Sequence, residues 1–169
     1  ADLSVSLLDE LPPGRQKIRT YAVDYRYEQR IHAFIAKEVA QGRQAFVVCP
    51  LIEKSEALDL ASATAYYQRL RDEVFPKLQI GLLHGKMKAA EKDQVMAEFQ
   101  KGGLDILVAT TVIEVGIDIP NASVMLIRDA ERFGLAQLHQ LRGRIGRGSE
   151  AGYCILIHNA QNDIAIKRL

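Results

Sequence analysis

The stretch AFVVCP, residues 45–50, decides the fold. Five apolar residues run together without a polar partner and are closed by a proline, so a strand here offers apolar side chains to both of its faces. A strand buried on both sides belongs inside a parallel sheet. Parallel neighbours need crossover connections of about a dozen residues or more, usually helical. The flanks supply them. Upstream, Ile31, Phe34, Ile35 and Val39 recur at helical spacing with Gly42 placed as the stop. IRTYAVD at 18–24 reads as a strand after the break at Pro12, Pro13 and Gly14. Downstream, a charged, alanine-rich stretch at 55–74 predicts a helix that stops near Pro76. The cycle repeats with a strand at 78–83, a helix at 88–101 stopped by Gly102 and Gly103, and a strand at 105–111 followed by a loop at 116–120. A strand at 123–128, a short helix at 134–141, a Gly/Arg loop, the strand YCILIH at 153–158 and a possible helix in the tail complete the chain. Alternation of this kind predicts an α/β domain, with a mainly parallel sheet and helices on both faces.

At 169 residues the chain suits one domain, and its 48% hydrophobic content is enough for a substantial core. Residues 1–17 read as a linker and 18–169 as the domain. The longest apolar runs are far too short to cross a bilayer, and no secretory leader is legible. Cys49 and Cys154 lie far apart inside apolar runs, without metal-ligand spacing, and read as buried thiols of a reducing cytoplasm. The net charge of +1 conceals a cluster: Arg142, Arg144 and Arg147 fall within six positions with no acid before Glu150. A basic face needs no high global charge, so nucleic acid is neither required nor excluded by the total.

In such sheets ligands sit at the carboxyl ends of strands, and the chemistry-bearing residues fall there. In QLRGRIGR, residues 140–147, two glycines alternate with arginines. The backbone can turn tightly and bring guanidinium forks to a polyphosphate. A solvated basic loop would share this composition, but a short helix and a core strand bound the segment, which favours a positioned anion site. In the segment 106–120, Thr110 closes a strand, and Gly116 and Asp118 lie in the loop beyond it. A hydroxyl and exposed amides suit a phosphate and a carboxylate suits a ribose, although such residues also serve as turn and cap positions. The segment LLHGKM, residues 82–87, offers Lys86 to a phosphate and Gly85 for close backbone approach. His84 could be a ligand or base, but has no sequence partner.

These segments resemble the motifs of superfamily-two helicases. The run 140–147 is similar to the sixth motif, Q/H-x-x-G-R-x-G-R. The resemblance implies that Arg144 and Arg147 face the γ-phosphate of ATP and that Gln140 is the polar residue opening the motif. The segment 109–118 is similar to the fifth motif, which implies a nucleic-acid backbone contact for Thr110 and nucleotide-facing roles for Gly116 and Asp118. It departs from the DEAD-box form, because Thr111 and Val115 stand where Asp and Arg are usual. The stretch 82–87 resembles a nucleic-acid contact following the fourth motif, and CPLIEKSE at 49–56 occupies the place of that motif itself.

Longer runs narrow the resemblance: DELPPGR at 9–15, TTVIEVGIDIPNA at 110–122 and ERFGLAQLHQLRGRIGRG at 131–148 are similar to the RecG family. The likeness implies the C-terminal RecA-like lobe of a P-loop-NTPase-type motor that uses ATP and Mg2+ to remodel stalled forks and Holliday junctions in repair and recombination. It implies branched DNA, the N-terminal motor lobe and a wedge domain as partners, and a bacterial cytoplasm with nucleoid association. Transcription-repair coupling factor shares FGLAQLHQLRGR and is the nearest alternative; a non-catalytic DNA- or protein-binding module is another. No G-x-x-x-x-G-K-[ST] and no DExH box occurs, so the domain lacks its own Walker A and alone is expected not to hydrolyse ATP.

Overall fold

The computed structural model describes residues 18–51, 56–110, 121–143 and 152–159. Six strands form one sheet: β1 (Ile18–Asp24), β2 (Gln44–Val48), β3 (Ile80–Leu83), β4 (Ile106–Ala109), β5 (Ala122–Ile127) and β6 (Gly152–His158). Their spatial order is β1-β6-β5-β2-β4-β3, and every neighbouring pair runs parallel. The helices are α1 (Glu28–Ala40), α2 (Glu56–Arg69), α3 (Ala89–Gln100) and α4 (Leu135–Arg142).

The stretch at 45–50 behaves as its composition demands. Phe46 and Val48 point into a cluster that contains Met96 and Phe99 of α3 and Leu138 and Leu141 of α4. Ala45, Val47 and Cys49 point into the opposite cluster, with Ile31 and Ile35 of α1 and Ala63 and Tyr66 of α2. The sheet is thus covered by α1 and α2 on one face and by α3 and α4 on the other. Both cysteines are buried, and burial pushes the Cys49 thiol up to about 12, so it stays protonated.

Helix stops fall where the sequence placed them. Gly42 and Gly102 both have φ of +89°, a left-handed conformation that a Cβ would disfavour. The third strand begins at Ile80 rather than at 78, because Leu78 N–H turns back to the Phe75 carbonyl and the Gln79 carbonyl accepts from Asp105 and Ile106. The helix expected over 55–74 is α through Arg69 and then widens into one π turn at Leu70–Val74, closed by Phe75 N–H onto the Leu70 carbonyl at 2.7 Å. The linker 1–17, the tail beyond 159 and the expected loops around 116–118 and 144–147 lie outside the described residues.

Strand order explains where a ligand can enter. The chain leaves the carboxyl end of β2 towards α2 on one face, whereas it leaves β5 towards α4 on the other. These two strands are neighbours. Their connections diverge and open a crevice between them, the arrangement in which α/β sheets bind ligands.

Candidate functional site

The carboxyl edge of the sheet carries three distinct features. Its first corner joins β3 and β4. Thr110 extends β4, its N–H donating to the Leu83 carbonyl at 3.0 Å, and its side chain is buried. Beside it the chain turns at His84: Lys86 N–H donates to His84 Nδ1 at 3.2 Å, and His84 N–H reaches Met87 Sδ at 3.3 Å. Gly85 and Lys86 project from this turn and are exposed. The fold therefore places Thr110, Gly85 and Lys86 at one corner, although they are far apart in sequence. The His84 ring accepts from the local backbone, which suits a turn-holding role better than that of a catalytic base.

The second feature is the crevice between β2 and β5, about 290 Å³, lined by Cys49, Pro50, Leu58, Asp59, Arg128, Asp129 and Arg132 among others. Arg128 forms its inner wall. Its Nη1 donates to Glu28 Oε2 at 2.8 Å, and its guanidinium lies 3.7 Å from the centroid of the Tyr66 ring and 5.3 Å from that of Tyr25. Arg69 Nη2 donates to the same Glu28 oxygen at 2.7 Å. Burial alone would raise the Glu28 carboxyl, but the hydrogen bonds from Arg128 and Arg69 hold it below the usual carboxylate range. Tyr66 also meets His32, whose Nε2 lies 2.9 Å from its hydroxyl, and burial lowers His32 so that its neutral form is favoured. Nothing in the sequence patterns pointed to this group. Tyr25 and Arg128 are 103 positions apart, and each alone looks like an ordinary strand-end residue.

The third feature is α4. Gly134 caps its start, with its N–H donating to Gln137 Oε1 at 2.9 Å. Leu138 and Leu141 face the core, which leaves Gln140 exposed on the outer side. Arg142 is buried to 5% exposure, with Nη1 3.5 Å from His139 Nδ1. Its neighbours Arg144 and Arg147, like Gly116 and Asp118, lie outside the described residues. An exposed amide followed by an arginine-rich segment is a donor set that fits a polyphosphate. It does not fit a cation, and among the described residues no group of three or more His, Cys, Asp or Glu could hold a metal.

A family model, the helicase conserved C-terminal domain, matches residues 26–149. The chain belongs to that family. Over 168 residues this helicase lobe is 51% identical to the ATP-dependent DNA helicase RecG of Synechocystis sp., covering 99% of the chain and 20% of that protein. It is 53% identical over 159 residues to the RecG of Escherichia coli K12, covering 94% of the chain and 23% of the relative. The lobe thus spans about a fifth to a quarter of the curated relatives it matches. Among solved structures, RecG bound to a three-way DNA junction superimposes with a TM-score of 0.76 at 48% identity, over 95% of this chain and 20% of that one. Domain 2 of the DEAD-box helicase Mss116p, at 21% identity, shares the fold with a TM-score of 0.67 over 92% of this chain and 58% of that one. These neighbours make the sheet a RecA-like helicase C-terminal lobe. No helix among the described residues is long and apolar enough to cross a membrane.

Proposed function

We propose that this chain is the second motor lobe of a RecG-type ATP-dependent DNA helicase that remodels branched DNA in repair and recombination. The likeness to the junction-bound RecG carries this reading, because it extends over nearly the whole lobe at high identity. In this reading the lobe closes over ATP held by a first motor lobe. Arg144 and Arg147 approach the phosphates, Gln140 at the end of α4 binds beside them, and Gly116 and Asp118 face the nucleotide. Thr110, Gly85 and Lys86 meet the DNA backbone at the β3/β4 corner. That corner is exposed at Lys86 and rigidly turned at His84, which suits a phosphate contact.

ATP supplies the phosphoanhydride whose cleavage drives the motor; this lobe supplies charge and position. A guanidinium delivered across a cleft neutralises charge that develops on the transferring phosphoryl group. Mg2+ belongs to the acidic residues of the first lobe. Nucleotide and DNA each bind between the lobes, so each raises or lowers affinity for the other by biasing closure. A wedge domain, a bacterial cytoplasm and association with the nucleoid complete the proposal.

The test is ATP hydrolysis by this lobe alone and by the full-length product of its gene, with and without forked DNA. Activity confined to the full-length protein and strongest on forks is the expected result. Absence of hydrolysis in both, with DNA binding retained, would instead make the protein a helicase-derived binding module.

A further inference from the structure

Among the described residues Asp129 is the one non-glycine residue with a positive φ, at φ 48° and ψ 50°. A side-chain-bearing residue stays in the left-handed region only where its surroundings hold it. Here one hydroxyl does so at two points. Tyr25 Oη donates to Asp129 Oδ1 at 2.7 Å and accepts from Asp129 N–H at 3.2 Å. The preceding residue is pinned as firmly: Arg128 N–H donates to the Val48 carbonyl at 2.9 Å, and its side chain is held by Glu28 and Tyr66.

The position of this bend gives it a consequence. Arg128 packs on the side of the sheet covered by α1 and α2, whereas Ala130, two residues later, is fully buried in the cluster with α3 and α4. Asp129 is therefore where the chain crosses from one face to the other at the divergence of β2 and β5. From it follow the turn Ala130–Arg132, the Gly134 cap and α4, whose far end opens into the arginine-rich segment. Asp129 is thus the residue from which the chain turns towards that helix.

We infer that Tyr25 and Arg128 are positioning residues for nucleotide hydrolysis: they hold the left-handed turn at Asp129, from which the chain enters α4. The inference rests on the reading of Arg144 and Arg147 as nucleotide-facing. Misplacement of a charge-stabilising group lowers turnover and leaves ground-state binding intact.

The experiment is Tyr25→Phe in the full-length protein, which keeps the ring and removes the hydroxyl. DNA-stimulated ATP hydrolysis is expected to lose about tenfold in kcat, with KM for ATP and DNA affinity held within about twofold. Hydrogen exchange at residues 129–134 should accelerate while β2 and β5 stay protected. Adding Asp129→Gly to Tyr25→Phe should restore most of the lost kcat, since glycine takes the left-handed conformation without the latch. Arg128→Lys, which keeps the charge and loses the planar stack, should show a smaller fall of the same kind. Unchanged kcat and unchanged exchange in Tyr25→Phe overturn the inference, as does a loss that Asp129→Gly does not rescue. Arg147→Ala in the same assay separates the two readings. If it abolishes turnover while Tyr25→Phe leaves kcat unchanged, the latch alone fails; if it leaves turnover intact, the nucleotide-facing role falls and the inference with it.

Discussion

At the amino end of the sheet, polar side chains are used up on one another. Glu38 accepts from Arg43 Nε at 2.8 Å, from Arg43 Nη2 at 3.0 Å and from Ser123 Oγ at 2.7 Å. Gln44 Nε2 lies 2.7 Å from both the Phe99 and the Leu104 carbonyl, Asn121 Nδ2 donates to the Gly42 carbonyl, and Gln79 N–H donates to Asp105. At the carboxyl end the same strands open a crevice, project Gly85 and Lys86 into solvent, and hold Asp129 in a strained conformation. One end closes the fold, and the other keeps groups and strain in reserve. The contrast teaches that polar residues at strand ends cannot be sorted into structural and functional by type. Glu38 and Glu28 are both low-exposure carboxylates paired to arginine, yet the first ties a helix to its own exit loop, whereas the second anchors an arginine that walls the crevice.

If the two ends divide the work in this way, substitutions at them should fail differently. The largest effect is expected for Arg147→Ala in the full-length protein: a fall of at least about a thousandfold in DNA-stimulated hydrolysis, the scale of an arginine finger. Thermal melting of this lobe should be unchanged, and hydrolysis near the parent rate would remove the assignment. Next comes Glu38→Ala at the amino end. It removes the carboxylate that accepts from Arg43 and Ser123 and should cost about 3 kcal/mol of stability in urea titration. Catalytic turnover per folded molecule should not change; a selective kcat loss would break the comparison.

Acid sharpens the same contrast. Arg43, followed by burial acting the other way and by Ser123, leaves Glu38 below its ordinary value, and Glu28 is likewise lowered. A carboxylate depressed on folding contributes stability that is present above its unfolded value, 4.5, and lost as pH falls through the folded one. His32 is also depressed, so the unfolded chain binds its proton first and stability begins to fall as pH drops below 6.5. Urea midpoints are expected to decline gently from pH 6.5 and steeply below 4.5. Replacing His32 with Gln should flatten the gentle part alone, and a profile flat to pH 4 would contradict both assignments. The smallest effect is expected for Lys86→Ala. It should weaken DNA binding by the full-length protein and reduce the salt slope by about 1, with kcat at saturating DNA retained. An unchanged slope would place the DNA elsewhere.

Much of the fold was legible because its signals are local. The continuous apolar runs at 45–49, 106–109 and 153–157 mark strands buried on both faces, and the left-handed glycines at 42 and 102 stand where helical periodicity ends. The site was legible only in part. Thr110, Gly85, Lys86 and Gln140 lie at strand or helix ends as their segments predict, but the residues around Arg128 carried no motif. The cluster exists only because its members meet, and Tyr25, Glu28, Tyr66 and Arg128 come from separate parts of the chain. The π turn at Leu70–Val74 was equally silent, since its spacing differs from a helix by a single residue.

The sequence by itself determined the alternation of strands and helices, the burial of the central strands and the helicase-like segments, because apolar period, stop residues and short motifs are written in neighbouring positions. Only the tertiary structure decided the order β1-β6-β5-β2-β4-β3, the divergence at β2 and β5, and the grip of Tyr25 on Asp129. The physical reason is that parallel pairing imposes no short connection. Any apolar run can lie beside any other until helices on both faces and side-chain packing select one arrangement, and contacts across a hundred residues exist only once it is selected.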